Sequence, residues 1–581
     1  MNLLITNEGE CLDKACPLSE HPNPQFRRDS YWCLNGTWSF ATETFKSDDS
    51  WPENGQDILV PFAPETVLSG VHGKDYHGCY LYYQKVFDLP EGIAEKNVRL
   101  YFEAVDQVCD VYLNGVYLGH HEGGYAPFYF DRLTLKKKGN VLRVIALDTC
   151  SGNYPIGKQS LKPGGIWYHP TSGIWGSVYL ENVPKNCIDD ITYKTSILDK
   201  NCEVFGRFQG KKEGWKIEIS FAGKQIASSE FDENGKAVLS LEKDFRLWDI
   251  DNPNLYDVLI TNGEDKVYSY FGVREISIVE HNGHKVPALN GKPIFLTGPL
   301  DQGYYPESGL TPPSDKAMEE DIALMKEYGF NMIRKHIKVE PRRWYYHCDR
   351  LGMLVMQDFV NIGAPYSLWM IISAPFLPYR MDDKKEKVQK KLGARNSLCK
   401  ASYIDSMEKT VDLLKNYPSV IAWTVFNEGW GQFDTVAMVE NLQKLDNSRL
   451  IDANSGWIDQ GVGNFSSHHV YFRKVKLKPS SDRILSLSEF GGYSLKTDGH
   501  TMMDKAFGYK MFRDTEALNK AIKALYENEI IPLKKVGLSV AVYTQFSDVE
   551  EEINGLVTYD RKIKKVDPKL MRELNAKLKE M

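Results

Sequence analysis

The sequence predicts a multidomain chain: a jelly-roll-like β-sandwich, an immunoglobulin-like β-sandwich and a (β/α)8 TIM barrel. Three observations carry this reading. The N-terminal half is built of short alternating segments broken by Asn-Gly and Gly-Gly turns, a pattern of antiparallel sheets. From "KPIFLTGPL" (292–300) onward, short apolar runs alternate with amphipathic helical stretches, as in a parallel sheet wrapped by helices. And 581 residues are too many for one hydrophobic core.

Taken in order, residues 1–183 form the first sandwich, with strands in "VRLYFEA", "CDVYLNGVYLG" and "GSVYLENV". Residues 184–277 carry "EVFGRFQG", "WKIEISFAG", "KAVLSLE" and "YDVLITNG", and match an immunoglobulin-like domain in size. Residues 278–581 hold eight apolar runs, at 293–299, 330–336, 353–359, 419–428, 449–454, 465–472, 483–490 and 538–547. Helices such as "DKAMEEDIALMKEYG" and "TEALNKAIKALYENEI" separate most of them, which predicts eight strand–helix units. The one dense charge cluster, "DDKKEKVQKK" (382–391), reads as a solvated loop or helix.

Composition excludes several function classes. The net charge of −7 is spread without a basic stripe, so no nucleic-acid partner is expected. There is no basic-then-apolar leader in "MNLLITNEGECLDK" and no apolar run long enough to span a bilayer; no membrane association and a cytoplasmic location are expected. The ten cysteines lack CxxC spacing, which predicts reduced thiols rather than a zinc site or disulfide framework. Cys348, in the helical "WYYHCDRLG", reads as a buried thiol. The 12 Trp, 32 Tyr and 26 Phe suit β cores and also stacking on the apolar faces of sugars.

In a barrel of this kind the active site lies at the C-terminal strand ends. Residues finishing a run are His336, Asp358, Glu428, Tyr471, Glu489 and Asp548. Glu428 and Glu489 each follow a strongly apolar segment, where an unpaired carboxylate is costly unless the site uses it. A single strand-end glutamate is ordinarily half of an ion pair. Two facing one pocket are what glycoside hydrolysis needs, one as acid and one as nucleophile or base. The tripeptide "SEF" also occurs at 229–231, where it runs into a turn and has no such context.

Six motifs in order make the chain resemble glycoside hydrolase family 2, the family of β-galactosidases, β-glucuronidases and β-mannosidases. They are "YLNGVYLGHHEGGYAPFYFD" (112–131), "TSGIWGSVYLENV" (171–183), "LNGKPIFLTG" (289–298), "NMIRKH" (331–336), "AWTVFNEGW" (422–430) and "SLSEFGG" (486–492). The resemblance implies that residues 1–183 are a sugar-binding-type sandwich. It implies Glu428 as acid/base, Glu489 as nucleophile, Asn427 as the partner of the sugar 2-OH, Arg334 as support for the nucleophile, and Tyr471 as its hydrogen-bond donor. His336 would contact sugar hydroxyls, orient neighbours or serve a buried structural role. The implied reaction is retaining and exo-acting on a carbohydrate substrate, through a covalent glycosyl-enzyme intermediate with carboxyl groups about 5–5.5 Å apart. No cofactor and no metal site are required, an accessory divalent or monovalent metal and a homo-oligomer being left open.

Three places depart from the family pattern. The position of a sugar-binding sandwich-loop aspartate holds Trp167 in "GGIWYHPTSGIW". The Asn-x-Lys-Gly signature by which β-glucuronidases hold a carboxylate is replaced by "EEEINGLVTYDRK" (550–562), whose three glutamates would oppose a uronic acid if they faced the pocket. A sugar-stacking Trp on the eighth strand is replaced by Thr544 in "VYTQFSD", leaving Tyr543 or Phe546 as platforms. The resulting expectation is β-galactosidase-like, with β-glucuronide, β-mannoside, β-glucoside, arabinoside or galactofuranoside as alternatives. Asp301 and Gln302 in "GPLDQGYYP" (298–306) and Asn361 in "DFVNIGAPYSLW" (358–369) are candidate specificity contacts.

Two rival readings differ in class. A metal-dependent hydrolase would use His336, His468, His469 and strand-end aspartates, but no HxH or HExxH spacing is present, and adjacent histidines on a strand face opposite ways. A non-catalytic carbohydrate-binding protein would share the fold without needing both glutamates.

Overall fold

Alternation of apolar and polar residues builds the N-terminal sheets. In the computed structural model, which describes residues 3–47, 51–52, 55–73, 76–363, 366, 381–480 and 482–581, two antiparallel sheets face each other first. One has six strands (Gly36–Glu43, Gln56–Val60, Tyr80–Phe87, Val108–Leu113, Val116–Glu122, Asn140–Leu147) and the other four (Tyr31–Cys33, Lys96–Phe102, Phe128–Thr134, Val178–Asn182). Trp38, Phe40, Tyr83, Leu100, Val144 and Leu180 fill the space between them. A second pair follows: a three-stranded sheet (Cys187–Ser196, Asn201–Gln209, Lys236–Ser240) and a four-stranded one (Lys216–Phe221, Lys224–Glu230, Tyr256–Thr261, Lys266–Phe271) close on Trp215, Tyr256 and Phe271.

All eight apolar runs of the C-terminal part are strands of one parallel sheet. We number them β1 (Leu296–Asp301), β2 (Met332–Lys335), β3 (Leu354–Asp358), β4 (Val420–Asn427), β5 (Leu450–Ser455), β6 (Phe465–Val470), β7 (Ile484–Gly491) and β8 (Leu538–Thr544). The order is β5-β4-β3-β2-β1-β8-β7-β6, which leaves a seam between β5 and β6. Hydrogen bonds span it, among them Asn464 N–H to Ile451 O (2.7 Å), Ile451 N–H to Asn464 Oδ1 (2.7 Å), Ser467 Oγ–H to Asp452 Oδ2 (2.6 Å) and one between Ser455 Oγ and His469 Nε2 (2.9 Å). The barrel is thereby nearly closed.

Period-two alternation sorts the strand residues into two layers. Leu296, Leu300, Met332, Leu354, Met356, Ala422, Leu450, Phe465, Ile484 and Val540 fill the barrel interior, plugged by Trp248, Ile276 and Leu289. Ile333, Val355, Trp423, Ile451, Leu487 and Ala541 face the helices, among them Met318, Ile322, Met407, Leu442, Ile522 and Leu574. Each buried Leu, Ile, Val, Phe or Met among them contributes about 1.5–3 kcal/mol. The predicted helices form with ordinary caps: Ser314 accepts the Ala317 N–H ahead of Asp315–Glu327, and Asp514 accepts the Ala517 N–H ahead of Thr515–Leu525. The connections 456–464 and 471–483 contain no helix among the described residues.

Cys348 is buried in the helix Arg342–Leu351, and all ten cysteines are unpaired. The charge cluster at 382–391 ends in a short helix, Glu386–Lys391. Among the described residues no helix is long and apolar enough to cross a membrane. Residues 364–365 and 367–369 of the loop predicted at 358–369 lie outside the described residues.

A loop of the first sandwich is fastened to the barrel mouth by three consecutive glutamates. Glu550 Oε1 accepts the His169 N–H (2.8 Å), Glu551 Oε2 the Gly165 N–H (2.8 Å) and Glu552 Oε2 the Tyr168 O–H (2.5 Å). Glu551 also accepts from Lys505 and Glu552 from Asn554. All three hold residues 164–169 against the barrel.

Candidate active site

Arg334 organises the mouth from β2. Its guanidinium, fully buried, donates from Nε and Nη2 to both oxygens of Asp358 (3.1 and 3.0 Å), from Nη1 to Glu489 Oε1 and Ser488 O (both 3.0 Å), and from Nη2 to Asn427 Oδ1 (2.8 Å). Four strands are thus tied by one planar fork, a geometry lysine cannot reproduce. Burial opposes ionisation of Asp358, but Arg334 and His336 overcome it and hold the carboxyl below its ordinary value. His336 lies against Asp358 Oδ2 through Nδ1 (3.0 Å), and burial pushes its pKa down to about 3, so it is neutral.

The two glutamates reach the same pocket by departures from regular strand geometry. Strict alternation along β7 would send Glu489 outward with Leu485 and Leu487. The pairing with β8 instead skips from Leu487–Ala541 to Phe490–Tyr543, and His469 on β6 pairs with Glu489. That irregularity turns the carboxylate inward. Glu428 follows β4 in the left-handed region (φ 54°), its N–H fixed to Ser455 O at 2.8 Å, a conformation that costs a non-glycine residue about 1–2 kcal/mol. Both carboxyls are almost buried, at 8% and 4% exposure.

His469 stands between them. Its Nδ1 is 2.8 Å from Glu428 Oε1, and its Nε2 is 2.9 Å from Ser455 Oγ and 3.5 Å from Glu489 Oε1. Burial pushes this imidazole down to about 3, so it is neutral. Arg334 Nη1, which can only donate, lies 3.5 Å from Nε2. We therefore assign the ring proton to Nδ1, from which it donates to Glu428. One ligand atom each from Glu428, His469 and Glu489 lie within 4.8 Å of one another. The three could in principle hold a cation, but the Arg334 guanidinium already occupies one Glu489 oxygen. His336, His468 and His469 form no common ligand set among the described residues; His468 faces away, as alternation requires.

Electrostatics separate the two carboxyls. Burial pushes Glu428 up to about 7, with Lys158 and Arg334 pulling against it. Burial also raises Glu489, and Glu428 adds to the shift, but Glu489 has the direct contacts that favour its charge: Arg334, and the Tyr471 hydroxyl, which donates to Oε2. Because His469 is neutral, the counterion of Glu489 is Arg334. Tyr471 also lies 3.4 Å from Thr544 Oγ1, and its ring stacks on Tyr509 at 3.9 Å. The Asn427 Nδ2 is buried without a hydrogen-bond partner, a donor left over for a ligand.

The other sequence candidates divide. Trp167 is half-buried and packs against Trp430, centroids 4.9 Å apart, and against Tyr366. Gln302 donates to Gln545 Oε1 (2.8 Å) and keeps a buried Oε1 without a partner. Asn361 joins the barrel to the sandwich through its backbone oxygen, which accepts the Ile156 N–H, and donates to the Tyr366 hydroxyl. Two expectations are corrected. Asp301 follows β1 alternation outward to Lys335 Nζ (2.5 Å) and the Gly303 N–H, so both its oxygens are engaged. Phe546, like Tyr543, is fully buried among the strand-to-helix core and presents no face to a sugar. Residues that sequence reasoning left without a role include Ser455, Tyr509 and Lys158; of these only the alternation at His468-His469 gave a usable signal, for their neighbour His469.

Comparison with known proteins agrees with this geometry. The profile of "Glycosyl hydrolases family 2, TIM barrel domain" matches residues 282–489, and that of the family's sugar binding domain matches residues 70–184. Together they cover more than half of the sequence, and the chain belongs to glycosyl hydrolase family 2. Among curated relatives, a β-galactosidase of Thermoanaerobacterium thermosulfurigenes is 28% identical over 63% of this chain and 48% of its own length. A β-glucuronidase of Streptococcus agalactiae serotype V is 25% identical over 68% of this chain and 66% of its own. The chain spans about half to two thirds of the length of these relatives. Solved structures share the fold: a β-glucuronidase of an uncultured Clostridium sp. superposes with a TM-score of 0.74 at 18% identity, covering 95% of this chain and 99% of that one. A family 2 β-galacturonidase from Eisenbergiella tayi gives 0.69 at 19% identity, covering 95% and 97%.

Proposed function

We propose that the chain is a retaining β-glycosidase that releases a terminal sugar. The observation that carries this is that one carboxylate oxygen of Glu428 and one of Glu489 lie within 4.8 Å of each other, which favours the about 5–5.5 Å carboxyl spacing of a double displacement over the about 6.5–9.5 Å that leaves room for a water in inverting enzymes. Kinship supports it, with relatives named as β-galactosidase and β-glucuronidase.

In the first step Glu489 Oε attacks the anomeric carbon as the glycosidic C–O bond breaks, and Glu428 gives its proton to the departing oxygen. Its raised pKa keeps that proton available near neutrality. His469 orients Glu428 by donating to Oε1, leaving Oε2 to carry the proton. In the second step Glu428, now ionised, takes a proton from water, whose oxygen attacks the anomeric carbon and expels Glu489. Asn427 Nδ2 is the donor for the sugar 2-OH, held by Arg334. Nucleophile and proton both come from side chains, so the reaction as drawn needs no cofactor. Proton NMR of the first-formed product tests it: release of the β-anomer is expected, and release of the α-anomer would contradict the reading.

The relatives' names divide between galactosides and glucuronides, so the sugar has to be read from the pocket. The β-galactosidase-like reading rests on kinship, and the sugar contacts left to it are Gln302, Asn361, Trp167 and Thr544.

A further inference from the structure

Four lysines are buried among the described residues: Lys158, Lys335, Lys338 and Lys565. Three have carboxylate partners: Lys335 with Asp301 and Glu340, Lys338 with Glu340, and Lys565 with Asp548. Lys158, 5% exposed, makes no hydrogen bond or ion pair from its ammonium to any described residue. It comes from the first sandwich, in the loop that the three glutamates hold against the barrel. Its Nζ stands 4.7 Å from the ring centroid of Trp430 and 5.5 Å from that of Trp167. Contacts of this kind contribute about 0.5–2 kcal/mol and do not replace the hydration a buried ammonium gives up.

The ammonium is within electrostatic reach of Glu428, His336 and Glu552, which locates it at the catalytic mouth. Trp430 follows the acid/base by two residues. The other cation there, Arg334, is fully committed to Glu489, Asp358, Asn427 and Ser488 O. Among the described residues the mouth therefore offers one uncommitted positive charge, set against the packed indoles of Trp430 and Trp167.

We propose that Lys158, walled by Trp167 and Trp430, forms a subsite for a single carboxylate carried by the substrate. One ammonium matches one unit of negative charge, and its shielded position makes a neutral group a poor substitute for an anion. The carboxylate comes either from a uronic acid as the terminal sugar or from an acidic leaving group beside Trp430. This inference rests on the glycosidase reading.

The test compares three aryl β-glycosides: a neutral sugar on a neutral phenol, a uronide on the same phenol, and the neutral sugar on a carboxyphenol. Each is measured with the wild type, Lys158→Met and Lys158→Arg. The wild type should favour one carboxylated substrate over its neutral counterpart by about a hundredfold in kcat/KM. Lys158→Met should collapse that ratio toward one, and Lys158→Arg should recover part of it. The arm that responds identifies where the carboxylate sits. No preference in either arm, or a ratio that survives Lys158→Met, overturns the proposal. Absence of turnover with all three substrates would instead strike the glycosidase reading. Calorimetric titration with D-glucuronate, D-galacturonate and benzoate against D-glucose and D-galactose then decides the subsite: carboxylate binding weakened tenfold or more by Lys158→Met supports it, and binding indifferent to charge or to the substitution overturns it.

Discussion

Arg334 holds Glu489 and Asn427 at once: Nη1 lies 3.0 Å from Glu489 Oε1 and Nη2 lies 2.8 Å from Asn427 Oδ1. One guanidinium therefore sets the nucleophile and the side chain facing the sugar 2-OH in a common frame. Arg334→Lys keeps the charge but cannot span Asp358, Glu489 and Asn427 together. We expect kcat to fall about a hundredfold or more while the protein stays folded, measured on an aryl β-glycoside alongside thermal unfolding. An unchanged kcat would remove Arg334 from the mechanism.

Asn427 supplies a donor with no other partner. Asn427→Ala should cost about a hundredfold in kcat/KM, near 3 kcal/mol of transition-state stabilisation. With a 2-deoxy substrate the same substitution should cost little, because the contact it removes is already missing. Equal losses on both substrates would place the Asn427 effect elsewhere.

The acid and the nucleophile should respond differently to replacement. Glu428→Ala should retain turnover of substrates with very good leaving groups in the first step, lose the second, and regain rate with azide, giving a β-glycosyl azide. Glu489→Gly should be silent without azide and give the inverted α-azide with it. Glu428→Gln and Glu489→Gln should each abolish hydrolysis of ordinary aryl β-glycosides. Identical azide products from Glu428→Ala and Glu489→Gly would reverse or remove the assignment.

The pH dependence follows from Glu428. Its carboxyl is pushed up to about 7 by burial, against an ordinary value near 4.5, and it must carry a proton in the first step. Activity should therefore decline as pH rises through about 7, while the acid limb is set by protonation of the nucleophile Glu489. Lys158 pulls the same carboxyl down, so Lys158→Met should move this alkaline limb upward. For stability the sign is the same: a raised folded pKa favours folding below the unfolded value and loses that advantage as pH rises through about 7. Glu428→Gln should therefore raise the melting temperature relative to wild type more at pH 8 than at pH 5. A larger gain at pH 5 would contradict the buried, protonated acid.

Much of this architecture was legible because parallel strands buried on both faces read as apolar runs. All eight predicted runs contain strands of the barrel, and Glu428 and Glu489 stood out as charges ending two of them. Face and partner were harder. Period two would have sent Glu489 outward; only the irregular pairing at Ser488 turns it in. The same period sends Asp301 to Lys335, a partner invisible without the neighbouring strand. Phe546 was misplaced because an aromatic residue at a strand end packs as readily into the helix layer as into a pocket. Lys158 gave no signal, since a lysine in a sandwich loop acquires meaning only when three distant glutamates bring that loop to the barrel.

The covalent intermediate on Glu489 is the central claim. Its most direct test is reaction with the 2-deoxy-2-fluoro analogue of whichever aryl β-glycoside is turned over, followed by peptide mass spectrometry. The account predicts stoichiometric inactivation with the sugar esterified to Glu489, in the peptide that contains "SLSEFGG". A label on another residue, or continued turnover to an inverted product with no label, would contradict it.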